Sequence, residues 1–142
     1  MSVRQFSVFV ENAPGSLARF ARLMKDQGID LISLTMADTT HFGILRAIAS
    51  DNEAAVRALE ENGYTVKMTD VLAVSVPDTP GGLSGILDLL SAARISVEYL
   101  YSCVRSRDGN AWVIFRVDDT FRAEEVLREN GVHLLSEEEI RG

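Results

Sequence analysis

Asn12-Ala13-Pro14-Gly15-Ser16-Leu17 and Asp78-Thr79-Pro80-Gly81-Gly82-Leu83 decide the fold, because they are one stretch written twice, 66 positions apart. The offset persists downstream. Leu17, Phe20, Ala21 and Met24 fall on Leu83, Ile86, Leu87 and Leu90, and Ile29-Asp30-Leu31 falls on Ile95-Ser96-Val97. Each set of four has the i, i+3, i+4, i+7 spacing of an amphipathic helix. Further on, Ala58-Leu59-Glu60-Glu61-Asn62-Gly63 matches Val126-Leu127-Arg128-Glu129-Asn130-Gly131 at an offset of 68, so two residues are added in between. Their natural place is a hairpin turn, Arg107-Asp108-Gly109-Asn110 against Asp38-Thr39-Thr40-His41 in the first copy, since Asp-Gly is a strong turn signal. A repeat that keeps both pattern and spacing marks a duplicated unit.

Periodicity and turn residues predict the order βαββαβ in each copy. The first copy reads as strand 3–11, helix 15–27, strands 30–38 and 42–49, helix 52–62 and strand 64–69. The second reads as strand 71–77, helix 81–93, strands 96–106 and 110–117, helix 121–130 and strand 132–136. Ser50 and Glu53 have capping-box spacing, and Gly28 and Gly63 stand where helices end. The acidic tail from Ser136 to Gly142 is expected to fray. The two domains, 1–69 and 70–142, join almost without a linker, and the alternation from Tyr64 to Val76 allows one extended segment through both.

With right-handed crossovers, βαββαβ is an α+β, ferredoxin-like fold: a four-stranded antiparallel sheet with helices on one face. The strand after the first helix lies at a sheet edge. Here those edges, Asp30–Asp38 and Ser96–Ser106, are long and proline-free, and such edges find partners. The simplest expectation is that they pair with each other, giving one eight-stranded sheet. Alternation turns Phe9, Ile44, Ile48, Trp112 and Ile114 away from the helices, together with Arg46 and Arg116. A bare apolar sheet face predicts a homodimer.

Composition excludes several classes. The 142 residues are 46% hydrophobic and 25% charged, with a net charge of -7. Their arginines are scattered, so nucleic acid is not an expected partner. The single cysteine, Cys103, forms no intrachain disulfide, and His41 and His133 lack a carboxylate pattern, so neither metal nor cofactor is expected. No apolar run approaches the roughly 18 residues of a membrane span. The start, Met1 to Gln5, has no apolar signal-peptide core, so a cytoplasmic location is expected. No nucleophile–base constellation and no basic phosphate loop can be assembled, so no catalytic residue and no enzyme are expected.

Val8-Phe9-Val10-Glu11-Asn12 followed by Ala13-Pro14-Gly15-Ser16-Leu17 resembles the ACT domain signature: an apolar strand, Asn or Asp, then Pro-Gly-x-Leu. Gly28-Ile29-Asp30-Leu31 is similar to that family's Gly-Ile-Asn-Ile, with Asp for Asn. The second copy departs at Arg94 and Ser96, where Gly and Asn are expected. Phe42-Gly43-Ile44-Leu45-Arg46 and Glu98-Tyr99-Leu100-Tyr101-Ser102 also look like segments of stand-alone tandem ACT proteins, and the likeness covers nearly the whole chain. The resemblance implies a non-enzymatic sensor that binds an amino acid where two such domains meet and regulates an enzyme of amino-acid metabolism.

Physically, a Pro-Gly loop opening a helix leaves backbone N–H groups and the helix dipole for a carboxylate, worth roughly 0.3–2 kcal/mol for the charge term. Asp30, Asp78, Ser96 and Glu98 are acceptors for an ammonium group. If the edges pair, the loop of one copy faces the start of the other copy's edge strand. Site one then combines Asn12, Ala13, Pro14, Gly15, Ser16 and Leu17 with Ser96, Val97, Glu98 and Tyr99. Site two combines Asp78, Thr79, Pro80, Gly81, Gly82 and Leu83 with Asp30, Leu31, Ile32 and Ser33. Site one is favoured because Asn12 lacks the charge with which Asp78 opposes a carboxylate. The alternative is a ligand-independent interaction module that docks an enzyme on its apolar sheet face.

Overall fold

A computed structural model of the chain describes residues 2–38, 42–103 and 106–142. The chain divides into two compact units, Arg4–Thr69 and Asp70–Gly142, the latter together with the first residues of the chain. The elements are β1 (Val3–Glu11), α1 (Ser16–Asp26), β2 (Leu31–Asp38), β3 (Phe42–Ala49), α2 (Asn52–Glu61), β4 (Val66–Val76), α3 (Gly82–Ala92), β5 (Val97–Ser102), β6 (Ala111–Val117), α4 (Thr120–Glu129) and α5 (Glu137–Arg141).

In the first unit β3 pairs antiparallel with both β1 and β2, with Val8 opposite Leu45 and Leu34 opposite Ala47. One face packs Phe6, Val8, Val10, Leu45 and Ala47 against Phe20 and Met24 of α1 and Ala55 and Leu59 of α2. In the second unit β6 pairs with β4 and β5, with Val74 opposite Val113 and Leu100 opposite Phe115. Leu72, Val74, Val113 and Phe115 pack with Ile86 and Leu90 of α3 and Ala123 and Leu127 of α4. The duplicated helix stripe is therefore core at its second and fourth positions. Its first residues are not core: Leu17 is 46% exposed and Leu83 38%.

Among the described residues the sheet has six strands in the order β2-β3-β1-β4-β6-β5, not the eight expected. Two expected strands, 64–69 and 71–77, are the single β4, because no turn residue interrupts the alternation between them. The expected strand 132–136 is reduced to one bridge, Leu134 to Val74. β2 and β5 end the order instead of pairing with each other within the chain. The expected Asp38–His41 turn falls on residues 39–41, outside the described residues, as do residues 104 and 105 of the expected strand 96–106.

Helix ends explain most local differences. Both first helices stop at a left-handed residue, Gly28 at φ 67° and, in the second copy, Arg94 at φ 59°. The arginine keeps the geometry at a cost of about 1–2 kcal/mol that glycine avoids. The capping box expected at Ser50 and Glu53 is not formed. Asp51 caps α2 by accepting from the Ala54 N–H, and the Ser50 hydroxyl accepts from the Asp30 N–H at 3.0 Å. The tail expected to fray is helix α5. Ser136 and Glu139 form a reciprocal capping box, and Ile140 is fully buried.

The sheet face expected to be bare is largely covered. Ile48, Trp112 and Ile114 are buried and Ile44 is half-buried, while Phe9 stays exposed, edge-on to Phe42. Leu135 donates its N–H to the Ala73 carbonyl at 2.8 Å, and Leu135 and Ile140 are buried outside the cluster beneath α3 and α4. No helix of the described residues is long and apolar enough to cross a membrane.

Candidate functional site

Both Pro-Gly loops open a helix in the same way. Gly15 (φ 84°, ψ -8°) and Gly81 (φ 89°, ψ -8°) are left-handed N-caps without a side-chain cap, and neither first turn carries a carboxylate. The Ser16 N–H donates to the Ala13 carbonyl at 3.2 Å and the Gly82 N–H to the Thr79 carbonyl at 3.0 Å. The helical ladder begins with Arg19 onto Gly15 and Gly85 onto Gly81, both at 2.9 Å. Between them, the amides of Leu17 and Ala18, and of Leu83 and Ser84, have no partner among the described residues. Nothing lies within 4 Å of where a Cβ would stand on Gly15 or Gly81, so a ligand has open access to the turn.

The loops differ one residue later. A Cβ on Gly82 would fall on the Pro77 carbonyl oxygen, whereas the corresponding first-copy residue, Ser16, carries a side chain. Asn12, Ala13, Pro14 and Leu17 are exposed and Ser16 is buried; Asp78, Thr79, Pro80 and Leu83 are exposed.

The edge-strand segments are more constrained than the sequence suggests. Asp30 is exposed and accepts the Ser50 N–H on its carbonyl at 2.8 Å. Ser96 mirrors it: its N–H donates to Asp118 Oδ1 at 3.0 Å, and its carbonyl accepts the Asp118 N–H at 3.1 Å. The registers shift between Leu31 and Ser33 and between Val97 and Tyr99, so both edge strands begin with an irregularity at matching positions. Ile32 and Ser33 are buried side chains. Glu98 is held by Arg116 Nε at 3.2 Å, and Arg116 also donates to the Asp70 carbonyl at 2.8 Å. Tyr99 and Tyr101 stack with centroids 6.5 Å apart. Each loop and each strand start is thus assembled within its own unit, and the two halves of each expected site belong to different units.

Several other polar groups have local structural roles. The Asp108 carboxylate accepts from the Ser75 hydroxyl at 2.5 Å and from Trp112 Nε1 at 2.9 Å, which clamps the hairpin turn. Ser75 above all holds its pKa below the ordinary value, against a smaller opposing effect of burial. Burial pushes the Cys103 thiol up to about 11, which removes it as a nucleophile at neutral pH. His133 Nε2 lies 2.8 Å from Glu139. Among the described residues no group of three His, Cys, Asp or Glu side chains is placed to hold a metal.

One feature was not read from the sequence. A cavity of about 410 Å³ opens in the first unit between α1, the end of β1 and the α2–β4 connection, with Arg19, Arg22 and Tyr64 on its walls. The available signal was a mismatch between copies, since Arg19 and Arg22 correspond to Gly85 and Asp88.

A family model described as an ACT domain pair matches residues 1–142. The structure is similar to that of a protein from Bacteroides thetaiotaomicron, at 36% identity and a TM-score of 0.92 over 99% of this chain and 96% of that one. It shares its fold with the ligand-free regulatory subunit of aspartate kinase from Thermus thermophilus, at 16% identity and a TM-score of 0.65 over 90% of each chain. The regulatory subunit from Thermus flavus gives 17% identity and a TM-score of 0.62 over 88% of each chain. No curated protein sequence matches. With the doubled loop, the doubled fold and the match along its length, this chain belongs to the ACT domain pair family.

Proposed function

We propose that this chain is a small-molecule sensor that binds an amino acid at the Asn12–Leu17 loop and regulates an enzyme of amino-acid metabolism. The observation that carries this reading is the uncapped start of α1, where Gly15 is left-handed, no carboxylate occupies the first turn and the Leu17 and Ala18 amides have no partner among the described residues. Such amides and the dipole behind them are suited to a carboxylate. Exposed Leu17 offers an apolar contact beside them.

The ammonium acceptors come, in this reading, from the edge strand of a second copy. β2 and β5 end the strand order of one chain, and each carries exposed apolar residues on its helix-facing side, Leu34 and Met36 on β2 and Leu100 on β5. A homodimer in which β2 of one protomer pairs with β5 of its partner satisfies both edges. It brings Ser96, Val97, Glu98 and Tyr99 toward the Asn12 loop, and Asp30, Leu31, Ile32 and Ser33 toward the Asp78 loop. Glu98, already paired with Arg116, and the Ser96 and Val97 backbone are the acceptors this strand start offers an ammonium group. The second loop, with Asp78 beside it and Gly82 against the Pro77 carbonyl, is the weaker site. The site of this chain's work is the cytoplasm.

A thermal-shift panel of the common amino acids tests the reading. At ~100 times its dissociation constant the effector adds about 2.7 kcal/mol of stability. No shift with any amino acid removes the ligand and leaves the second reading, a docking module. That reading is favoured by Phe121, which is 75% exposed on α4. It expects an enzyme complex indifferent to amino acids.

A further inference from the structure

We propose that the cavity of the first unit is a separate binding site for a small metabolite that carries an oxoanion head, carboxylate or phosphate, on a body bearing hydrogen-bond donors. α1 supplies one wall with Ser16, Arg19, Arg22 and Asp26, whose spacing of three, three and four keeps them on one helix face. Glu11 closes the end near the start of α1, and the α2–β4 connection forms the opposite wall. At about 410 Å³ the cavity has the volume of a metabolite site.

Three observations point to a ligand. Neither Arg19 nor Arg22 makes an ion pair or side-chain hydrogen bond among the described residues, although Asp26 lies one turn from Arg22. Neighbouring like charges weaken a helix, so α1 does not need them for its own stability. Ser16 is only 7% exposed, lines the cavity, and its hydroxyl has no hydrogen-bond partner among the described residues. The second copy, which builds the same fold, keeps neither arginine nor the serine, and its one charged residue in the corresponding row, Asp88, has the opposite sign to Arg22. Glu11, Ser16, Arg19, Arg22 and Asp26 correspond to Pro77, Gly82, Gly85, Asp88 and Ala92. The fold therefore does not require these side chains.

The chemistry follows from the charges. Two guanidinium groups on one face match the planar oxygens of a carboxylate or the oxygens of a phosphate. Glu11 and Asp26 flank them and accept from hydroxyl or ammonium groups on the ligand body. The same carboxylates disfavour a bare anion, so the site selects a substituted one. The inference does not depend on the amino-acid reading of the loop, although Ser16 borders both.

Calorimetric titration with inorganic phosphate, glycerol 3-phosphate and malate tests it. One of the two organic anions is expected to bind more tightly than inorganic phosphate, and the tighter one names the head group. Arg22→Gln is expected to weaken that binding by about tenfold or more, with Arg22→Lys intermediate. Both variants should keep the wild-type melting temperature, because the side chain is exposed. The proposal is overturned if neither organic anion binds at about 10 mM, a very weak affinity. It is equally overturned if inorganic phosphate binds as tightly as both, or if the Arg19→Gln/Arg22→Gln double variant binds like the parent.

Discussion

Gly82 and Gly85 show how two glycines on one helix do opposite things. A side chain at Gly82 meets the Pro77 carbonyl oxygen, while nothing lies within 4 Å of a Cβ at Gly85. Gly82→Ser, which imports the first copy's residue, is expected to lower stability by roughly 1–3 kcal/mol through overpacking. Gly85→Ala is expected to raise it by about 0.5–1 kcal/mol by restricting the unfolded chain and favouring helix. Urea denaturation of the two variants distinguishes them. Asp108 makes a third residue-level case. The Ser75 hydroxyl first, then the Asn110 and Trp112 donors, lower its folded pKa. Its contribution is therefore complete above the unfolded carboxylate value and is lost as pH falls through the lower folded value. The urea midpoint should drop on acidification below about pH 4, and Asp108→Asn should flatten that dependence. The Asp-Gly turn was legible in the sequence. The Ser75 hydroxyl was not, because it stands 33 residues away on another strand.

Elements were legible wherever periodicity ran long enough. α1, α3, β1 and β3 lie where the apolar spacing puts them. β4 needed one further inference, that an alternating segment without a turn residue stays a single strand across two units. The tail escaped for a different reason. Glu137-Glu138-Glu139 reads as a solvated charge run, and one apolar residue, Ile140, sets no period. The capping box at Ser136 and Glu139 and the burial of Ile140 make it a helix. Ile140→Ala is expected to cost about 2–4 kcal/mol in the second unit, the range for emptying a buried aliphatic site. If the tail merely frayed, calorimetry would register almost no change. Glu139 adds a pH term of the same sign as Asp108, since its hydrogen bond to His133 above all lowers its pKa.

At the scale of the whole molecule the duplication was plain in the sequence, because 66-residue spacing relates one loop and one helix to the other. That β2 and β5 would end the strand order unpaired with each other was not, since register and edge pairing depend on what else covers the strand. The expected bare sheet face is not found, because Ile48, Trp112 and Ile114 are buried, and the dimer proposed above uses the strand edges instead. Leu34→Glu and Leu100→Glu are expected to shift the chain from dimer to monomer in analytical ultracentrifugation while leaving its circular dichroism unchanged. A dimer that survives both substitutions would exclude the β2–β5 contact.

The most direct measurement is amide NMR of the chain titrated with the amino acid that stabilises it most. Binding at the first loop should move the Gly15, Leu17 and Ala18 amide resonances strongly and the Gly81, Leu83 and Ser84 resonances little. Unmoved first-loop amides at saturation, or shifts confined to the second loop, would contradict the assignment of the α1 start as the sensor.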